Sequence, residues 1–196
     1  MSNQKSKPVR AAHPHLRVVG GAASACDALD FDAVFRRYSP YVASIGLRLL
    51  GRDDELDDLV QDVFLEAHRG LPRLREAGAV KGWLARVCVR RAVRRLRRRR
   101  LRAFLSLDTL THDAELAAPE ASPEARMDIT RLYRELERLP ALTRAIWVLR
   151  HLEGEALDNI ATWCGCSKST VQRRLREAQA ALGAFSASAE TEARDD

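Results

Sequence analysis

The sequence predicts an all-α protein in which an acidic linker joins two small helical domains. From Leu29 onward, apolar residues recur at spacings of three and four residues, and no segment shows the strict apolar–polar alternation of a strand. This periodicity stops at residues 106–127, which contain two prolines and five acidic residues, and it returns at Asp128. The chain has 196 residues, of which 46% are apolar, so each half can bury a core of its own.

Three helices are expected in the first domain. The first covers about 29–50 and ends at Gly51, the second covers about 54–69, and the third begins near Val80 and continues through a run of arginines. Residues 1–27 are basic and rich in alanine, glycine and serine, so they are expected to be disordered.

The third helix is predicted to have two faces of opposite character. Residues 81–102 contain eleven basic residues and no acidic one. At about 100° per residue, one half of the helix is apolar. This half consists of Leu84, Ala85, Cys88, Val89, Ala92, Val93 and Leu96. The other side carries Trp83, Arg86, Arg90, Arg94 and Arg97.

The arginine row favours an anionic partner, because like charges four residues apart on a helix repel each other. Nucleic acid is the obvious candidate, since its phosphates attract guanidinium groups and its exposed bases can stack on Trp83. The net charge of +6 agrees with such a partner. The alternatives are a solvated arginine face and a tryptophan that packs in the core.

The second helix carries the opposite charge, with seven acidic residues and no basic one in residues 53–66. Charge segregated in this way indicates two partners of opposite sign, and a protein with a basic surface is a candidate for the acidic helix. A solvated acidic face is one alternative. A magnesium enzyme is another, because residues 53–57 read DDELD and carboxylates can hold Mg²⁺. Catalysis is not expected, since no second aspartate-rich box and no general-base constellation are present.

Residues 157–182 have the pattern of a DNA-reading helix-turn-helix. Helices are expected at about 128–138, 141–152, 155–163 and 167–182. Gly165 makes the turn, Ala161 is small where the last two helices cross, and Ser167 caps the final helix. The outer face of that helix carries Lys168, Ser169, Thr170, Gln172, Arg173 and Arg176. Such side chains can read base edges or hold phosphates, and a plain helical hairpin is the alternative.

The four cysteines do not form the disulfide framework of a secreted protein and are interpreted as reduced thiols of a cytoplasmic protein. Cys164 and Cys166 flank the turn glycine, where side chains are expected to point into the core. A zinc site needs about four ligands and no second pair exists, so neither a metal nor another cofactor is expected. No apolar run approaches the roughly 20 residues of a membrane span.

In this order, the motifs resemble those of the extracytoplasmic-function (ECF) group of RNA polymerase sigma factors. Residues 31–71 contain DDLVQDVF, which is similar to the polymerase-binding signature of the family's region 2. Residues 80–98, VKGWLARVCVRRAVRRLRR, are similar to its Trp-Leu block, which contacts the −10 promoter element. Residues 136–182 resemble the part of region 4 that reads the −35 element.

The resemblance implies a region 2-like bundle of three to four helices at 28–102, a linker at 103–127 and a four-helix region 4-like domain at 128–183. The leader at 1–27 and the acidic tail at 184–196 are additions to the family's pattern. The resemblance also implies core RNA polymerase, promoter DNA and an anti-sigma protein as partners. The residues that would bind polymerase are Asp58, Leu59, Val60, Gln61, Asp62 and Phe64.

The same resemblance assigns the outer face of the third helix to the −10 element and the outer face of the final helix to the −35 element. The family usually has Asn and Asp where this chain has Arg90 and Arg94. The alternative is a stand-alone helix-turn-helix regulator that does not bind polymerase. That alternative does not explain the acidic helix.

Overall fold

The computed structural model describes residues 30–74, 76–105 and 122–192, with the backbone alone at Ala77 and at 184–192. The leader at 1–27, most of the linker and the last four residues of the tail lie outside these ranges. Within them the protein is helical and has no strand. The helices are α1 Phe31–Leu50, α2 Leu56–Gly70, α3 Val80–Phe104, α4 Pro123–Arg138, α5 Ala141–His151, α6 Leu157–Cys164 and α7 Lys168–Glu192.

The first domain is formed by α1, α2 and α3, each of which packs against the other two. The Asp30 carboxylate caps α1 by accepting hydrogen bonds from the backbone of Asp32 and Ala33. The same helix continues through Pro40 and ends at Gly51, whose φ of 74° is left-handed. Two short 3₁₀ turns, at Leu71–Arg73 and Ala77–Ala79, connect α2 to α3.

The second domain begins earlier than the sequence analysis predicted. The first of its helices starts at Pro123 instead of residue 128, so the last part of the predicted linker is helical. Ser122 caps this helix by accepting a hydrogen bond from the Ala125 N–H at 3.2 Å. Proline at the first helical position loses no hydrogen bond and has the φ that a helix requires. Ser122, Pro123 and Glu124 therefore start a helix, although the sequence analysis assigned them to the linker.

The final helix is longer than predicted, because α7 continues past residue 182 to Glu192. The prediction ended it where the apolar periodicity ends. Residues 184–192 contain three alanines, which favour a helix, and no proline, which would end one.

The two domains pack against each other, which the sequence analysis did not predict. Helices α5 and α6 lie against α3, and α5 also contacts α1. Buried side chains of both domains form one continuous apolar cluster. None of the helices in the described ranges has both the length and the apolar character that crossing a membrane requires.

The core of the first domain depends on α3, so truncation of Leu84 is expected to be costly. Leu84 has no exposed surface, whereas Leu101 on the same helix is 61% exposed. Leu84→Ala should lower the free energy of unfolding by about 2–5 kcal/mol because it leaves a cavity. Leu101→Ala should change it by less than about 0.5 kcal/mol. Urea unfolding monitored by circular dichroism measures both, and equal losses would contradict the assignment of the inner face.

Candidate nucleic-acid interface

The inner face of α3 is buried as predicted. All seven apolar residues assigned to it are less than 8% exposed, and Val80 and Val87 are buried with them. The helices that α3 contacts are α1 and α2 of the first domain and α5 and α6 of the second. The helix is therefore anchored by its apolar half, and its charged side chains are displayed on the outside.

The outer face of α3 carries free positive charge. Arg86, Arg94 and Arg97 are exposed, and so are Arg98 and Arg100 further along the helix. None of these five forms an ion pair within the described part of the chain. Accessible guanidinium groups on a rigid helix attract the phosphates of nucleic acid.

A second arginine row on α3 faces the acidic residues of α2 and of the turn before it. The shortest ion pairs are Arg90–Glu66 at 2.6 Å, Arg91–Glu66 at 2.9 Å, Arg95–Asp62 at 2.7 Å, Arg99–Glu55 at 2.9 Å and Arg99–Asp54 at 3.3 Å. The arginines at 91, 95 and 99 are four residues apart, and so are Asp62 and Glu66, so the two helices present matching rows. We call these contacts the α2–α3 ion-pair ladder.

The ladder gives the segregated charges a second role that the sequence analysis did not predict. They were taken to indicate two external partners of opposite sign, and part of the arginine run is also neutralised within the domain by the acidic helix. Arg90, which was predicted to lie in the free row, belongs to both rows, since its side chain is half exposed and also contacts Glu66.

Three of the residues predicted to bind polymerase have structural partners within the domain. Leu59 and Phe64 are 0% and 3% exposed, so their side chains hold α2 in the core. The carboxylate of Asp62 accepts a hydrogen bond from Arg95 at 2.7 Å.

The accessible surface of α2 is formed by other residues. Asp58 and Gln61 are exposed, and Val60 is half-buried. Leu65, which the sequence analysis did not select, is 52% exposed. Its position outside the apolar stripe of α2 was the signal that could have identified it. An exposed leucine beside polar and acidic side chains supplies apolar area that a protein partner can bury.

Trp83 is half-buried and packs against Gly70 at the end of α2. A Cβ atom at residue 70 would lie 2.5 Å from Cζ2 of the indole. Only glycine at residue 70 therefore allows the indole to approach this closely. The structure thus shows Trp83 packing against the domain, which was one of the two roles considered for it.

The helix-turn-helix has the predicted local geometry. Gly165 ends α6 with a φ of 66°, and Ser167 Oγ accepts a hydrogen bond from the Thr170 N–H at 3.2 Å. The inner face of α7 is anchored by Val171 and Ala178, neither of which has exposed surface. The predicted DNA-facing residues are all exposed except Thr170, which is half-buried.

Acidic residues contact the DNA-facing side chains of this motif. Glu177 bridges Arg173 at 2.6 Å and Arg174 at 2.9 Å. Lys168 contacts Asp158 of α6 at 3.0 Å. The sequence analysis did not identify Glu177, although its spacing of four and three residues from the two arginines was visible.

The thiols and carboxylates considered as metal ligands have other environments. Burial raises the pKa of Cys164 to about 12 and also raises that of Cys166, which disfavours the thiolate that zinc requires. Asp54 and Glu55 of the DDELD motif are engaged by Arg99. In the ranges described, no three His, Cys, Asp or Glu side chains are grouped so that they could hold a metal ion.

A helix-turn-helix domain packed on an arginine-faced helical domain is an arrangement suited to binding DNA. Residues 34–102 match the family described as Sigma-70 region 2, and residues 129–182 match Sigma-70, region 4. The ECF RNA polymerase sigma factor SigM of Mycobacterium tuberculosis is 30% identical over 156 residues, which cover 80% of this chain and 76% of SigM. The ECF RNA polymerase sigma-E factor of Escherichia coli is 30% identical over 164 residues, with coverage of 78% and 84%.

Among solved structures, the fold is similar to that of the sigma factor RpoE from Bartonella quintana, which was solved in complex with the anti-sigma factor NepR. The TM-score is 0.61 at 23% identity, covering 78% of this chain and 94% of RpoE. The chain belongs to the ECF group of the sigma-70 family, and it directs promoter recognition with RNA polymerase. Because both regions match in order, a stand-alone helix-turn-helix regulator is not favoured.

The ladder is expected to restrain the affinity of α3 for nucleic acid. Glu66→Gln should free Arg90 and leave Arg91 with only its longer contact to Asp62 at 3.7 Å, so that single-stranded DNA binds more tightly and its affinity falls more steeply with salt, by about 0.7 in the log–log slope per added phosphate contact. Fluorescence anisotropy with a labelled oligonucleotide over a salt series measures this slope. Glu124→Gln, on α4, makes the same change in net charge. An equal increase in both variants would show that net charge alone is responsible.

Proposed function

We propose that three surfaces of the chain bind the different components of the promoter complex, and that the chain itself catalyses no reaction. In this proposal α2 binds core RNA polymerase, α3 holds the downstream promoter element, and α7 reads the upstream one. The match to regions 2 and 4 in sequence order supports it most directly. Such a protein acts in the cytoplasm, where polymerase and chromosomal DNA are found.

Polymerase binding is assigned to the accessible side of α2. Asp58 and Gln61 present polar groups, while Val60 and Leu65 supply apolar area. An apolar centre with a polar rim is the usual anatomy of a protein interface. Leu59 and Phe64 contribute indirectly by fixing the helix in the core, and Asp62 contributes through its contact with Arg95.

Promoter opening is assigned to the free arginines of α3. Arg86, Arg94 and Arg97 are accessible without the loss of any ion pair, so they can contact phosphates directly. Arg90 would have to exchange Glu66 for a phosphate. Trp83, also predicted to contact this element, is held against Gly70, so the proposal gives it a supporting role with its accessible edge toward the DNA.

Duplex recognition is assigned to the outer face of α7. Lys168, Ser169 and Thr170 lie in its first turn, where a recognition helix contacts base edges. Gln172, Arg173 and Arg176 follow on the exposed side and can reach bases or phosphates.

An anti-sigma protein is the proposed regulatory partner. The structural relative from Bartonella quintana was solved bound to one, and this chain shares its fold over 78% of its length.

Reversal of one exposed charge on α2 should weaken the polymerase complex. Asp58→Lys is expected to lower the affinity for core polymerase by about tenfold or more, because the carboxylate is exposed and belongs to the proposed interface. Competition binding against a labelled sigma factor measures the change. Asp32→Lys, in the first turn of α1, is the control, since both residues are exposed first-turn acids. An unchanged affinity for Asp58→Lys would contradict the assignment.

Truncation of an arginine on α7 distinguishes base reading from phosphate contact. Arg173→Ala should cost about 1–3 kcal/mol on the cognate promoter duplex if the side chain is bidentate to a guanine. Binding to a scrambled duplex should change little. Arg134→Ala on α4 is the control for loss of one exposed positive charge. An equal loss on both duplexes would instead indicate a phosphate contact.

A further inference from the structure

Two neighbouring cavities lie at the C-terminal end of α3. The larger has a volume of about 510 Å³ and the smaller a volume of about 300 Å³. Arg100 and Phe104 line both cavities, so these two side chains form the wall between them. We call the two cavities together the α3-end cleft. Pockets of roughly 300–1,000 Å³ are the usual size of small-molecule sites, so the cleft has room for such a ligand.

The apolar surface of the cleft is accessible and includes an aromatic ring. Phe104 is 84% exposed and Leu101 is 61% exposed. Both line the larger cavity, together with Pro140, Ala141 and Leu142 of the second domain. A phenyl ring displayed in this way offers a face on which a second planar ring can stack. The cleft therefore suits a ligand that has a flat aromatic part.

The charge around the larger cavity is positive. Arg97, Arg100 and Arg174 line it, and no acidic residue is among the lining residues. Arg97 and Arg100 form no ion pair within the described part of the chain. Arg174 contacts Glu177, but its buried Nε has no hydrogen-bond partner among the described residues. Because guanidinium groups bind phosphate oxygens in pairs, three of them suit a ligand with more than one negative charge.

The smaller cavity is closer to neutral. Its arginines at 52, 99 and 138 each have an acidic partner at 2.7–2.9 Å. Arg144, which also lines it, is 3% exposed and donates a hydrogen bond to the Leu50 carbonyl at 2.8 Å. The apolar lining consists of Leu96, Ala103 and Phe104. The smaller cavity therefore has less positive charge to offer a phosphate than the larger one, and it extends the apolar surface around Phe104.

These properties distinguish among the anions that an arginine-lined cleft could bind. A fatty acid has one charge and would use one of the three guanidinium groups. Inorganic phosphate or pyrophosphate would leave the Phe104 ring without a contact. An acidic helix needs one continuous trough, whereas Arg100 and Phe104 divide this cleft in two. A nucleotide with two or more phosphates has both the planar ring and the several anionic oxygens that the lining matches.

We propose that the α3-end cleft is a binding site for a free nucleoside diphosphate or triphosphate. The base stacks on Phe104, and the phosphates are held by Arg97, Arg100 and Arg174. The site does not depend on the proposed function, because binding needs neither polymerase nor a promoter. Where the proposed function also holds, the nucleotide competes with promoter DNA for Arg97.

Isothermal titration calorimetry on the full chain tests the site, with ADP, adenosine and inorganic pyrophosphate as the probes. ADP should bind about tenfold more tightly than either of the others, because each of them has only one of the two recognised parts. Pyrophosphate that binds as tightly as ADP would overturn the proposal, since attraction by a basic surface would then be sufficient. No binding of ADP at millimolar concentration would also overturn it.

Variants of exposed residues locate the site without disturbing the core. Arg100→Gln and Phe104→Ala should each weaken ADP binding by about tenfold, because each removes a recognition group. Arg98→Gln is the matched control for charge, since Arg98 is exposed on the same helix and lines neither cavity. Leu105→Ala is the control for apolar area, since Leu105 is 55% exposed and also lies outside both cavities. Both controls should change the affinity less than about twofold.

Equal losses of ADP affinity in Arg98→Gln and Arg100→Gln would overturn the site. Arg174→Gln tests the other side of the cleft and should also weaken ADP binding. It decides the matter if either α3 variant loses its helical circular dichroism, and an unchanged affinity would then overturn the proposal.

A labelled single-stranded oligonucleotide separates a free nucleotide from the nucleotides of a DNA strand. ADP should displace the oligonucleotide from the wild type and should displace it less from Phe104→Ala. Oligonucleotide binding that requires Phe104, in a chain that does not bind ADP, would overturn the proposal of a free nucleotide. A chain that binds ADP but supports no transcription with core polymerase would instead contradict the proposed function and confirm the site.

Discussion

Burial of one side of α3 is the interaction on which the rest of the structure depends. Helices from both domains pack against this side, from Val80 to Leu96. Full burial of an aliphatic side chain contributes about 1.5–3 kcal/mol, whereas each like-charge pair on a helix costs only a few tenths. A helix that buries nine residues can therefore carry eleven basic residues in the segment 81–102 and remain folded. The charge density required for DNA binding is possible because the opposite side is apolar.

The α2–α3 ladder is better understood as an organising contact than as a source of stability. Surface ion pairs are worth about 0–1 kcal/mol each, and the arginines of the ladder range from 14% to 51% exposed. Matched rows of opposite charge at a spacing of four residues specify how α2 lies on α3. This pairing also divides the arginines into a neutralised row and a free row. The same contacts therefore set two things: the orientation of the proposed polymerase surface and the charge available for DNA.

Local features of the fold were predictable from the sequence, and distant ones were not. Apolar spacing predicted the two-sided α3, and residue type predicted the turn at Gly165 and the cap at Ser167. The early start of α4 had a local signal in Ser122 and Pro123 that was given too little weight. No pattern marked the contact between Arg144 and Leu50, because these residues are 94 positions apart and neither is unusual in its own segment. The proposed DNA-facing residues were identifiable because exposed arginines on amphipathic helices are visible in sequence, whereas their ionic partners depend on packing.

The carboxylate of Glu177 bears on how the proposed α7 interface would discriminate among DNA sites. It holds two neighbouring guanidinium forks on the recognition helix, and it would lie close to any backbone phosphate that approached them. In the proposed role of α7, every DNA sequence would have to break these contacts and tolerate that repulsion, but only a site with the correct base edges would compensate. Specificity is a difference between affinities, and a repulsive group widens it by weakening the wrong complexes. If α7 reads DNA as proposed, one acidic side chain among its arginines would limit binding at incorrect sites.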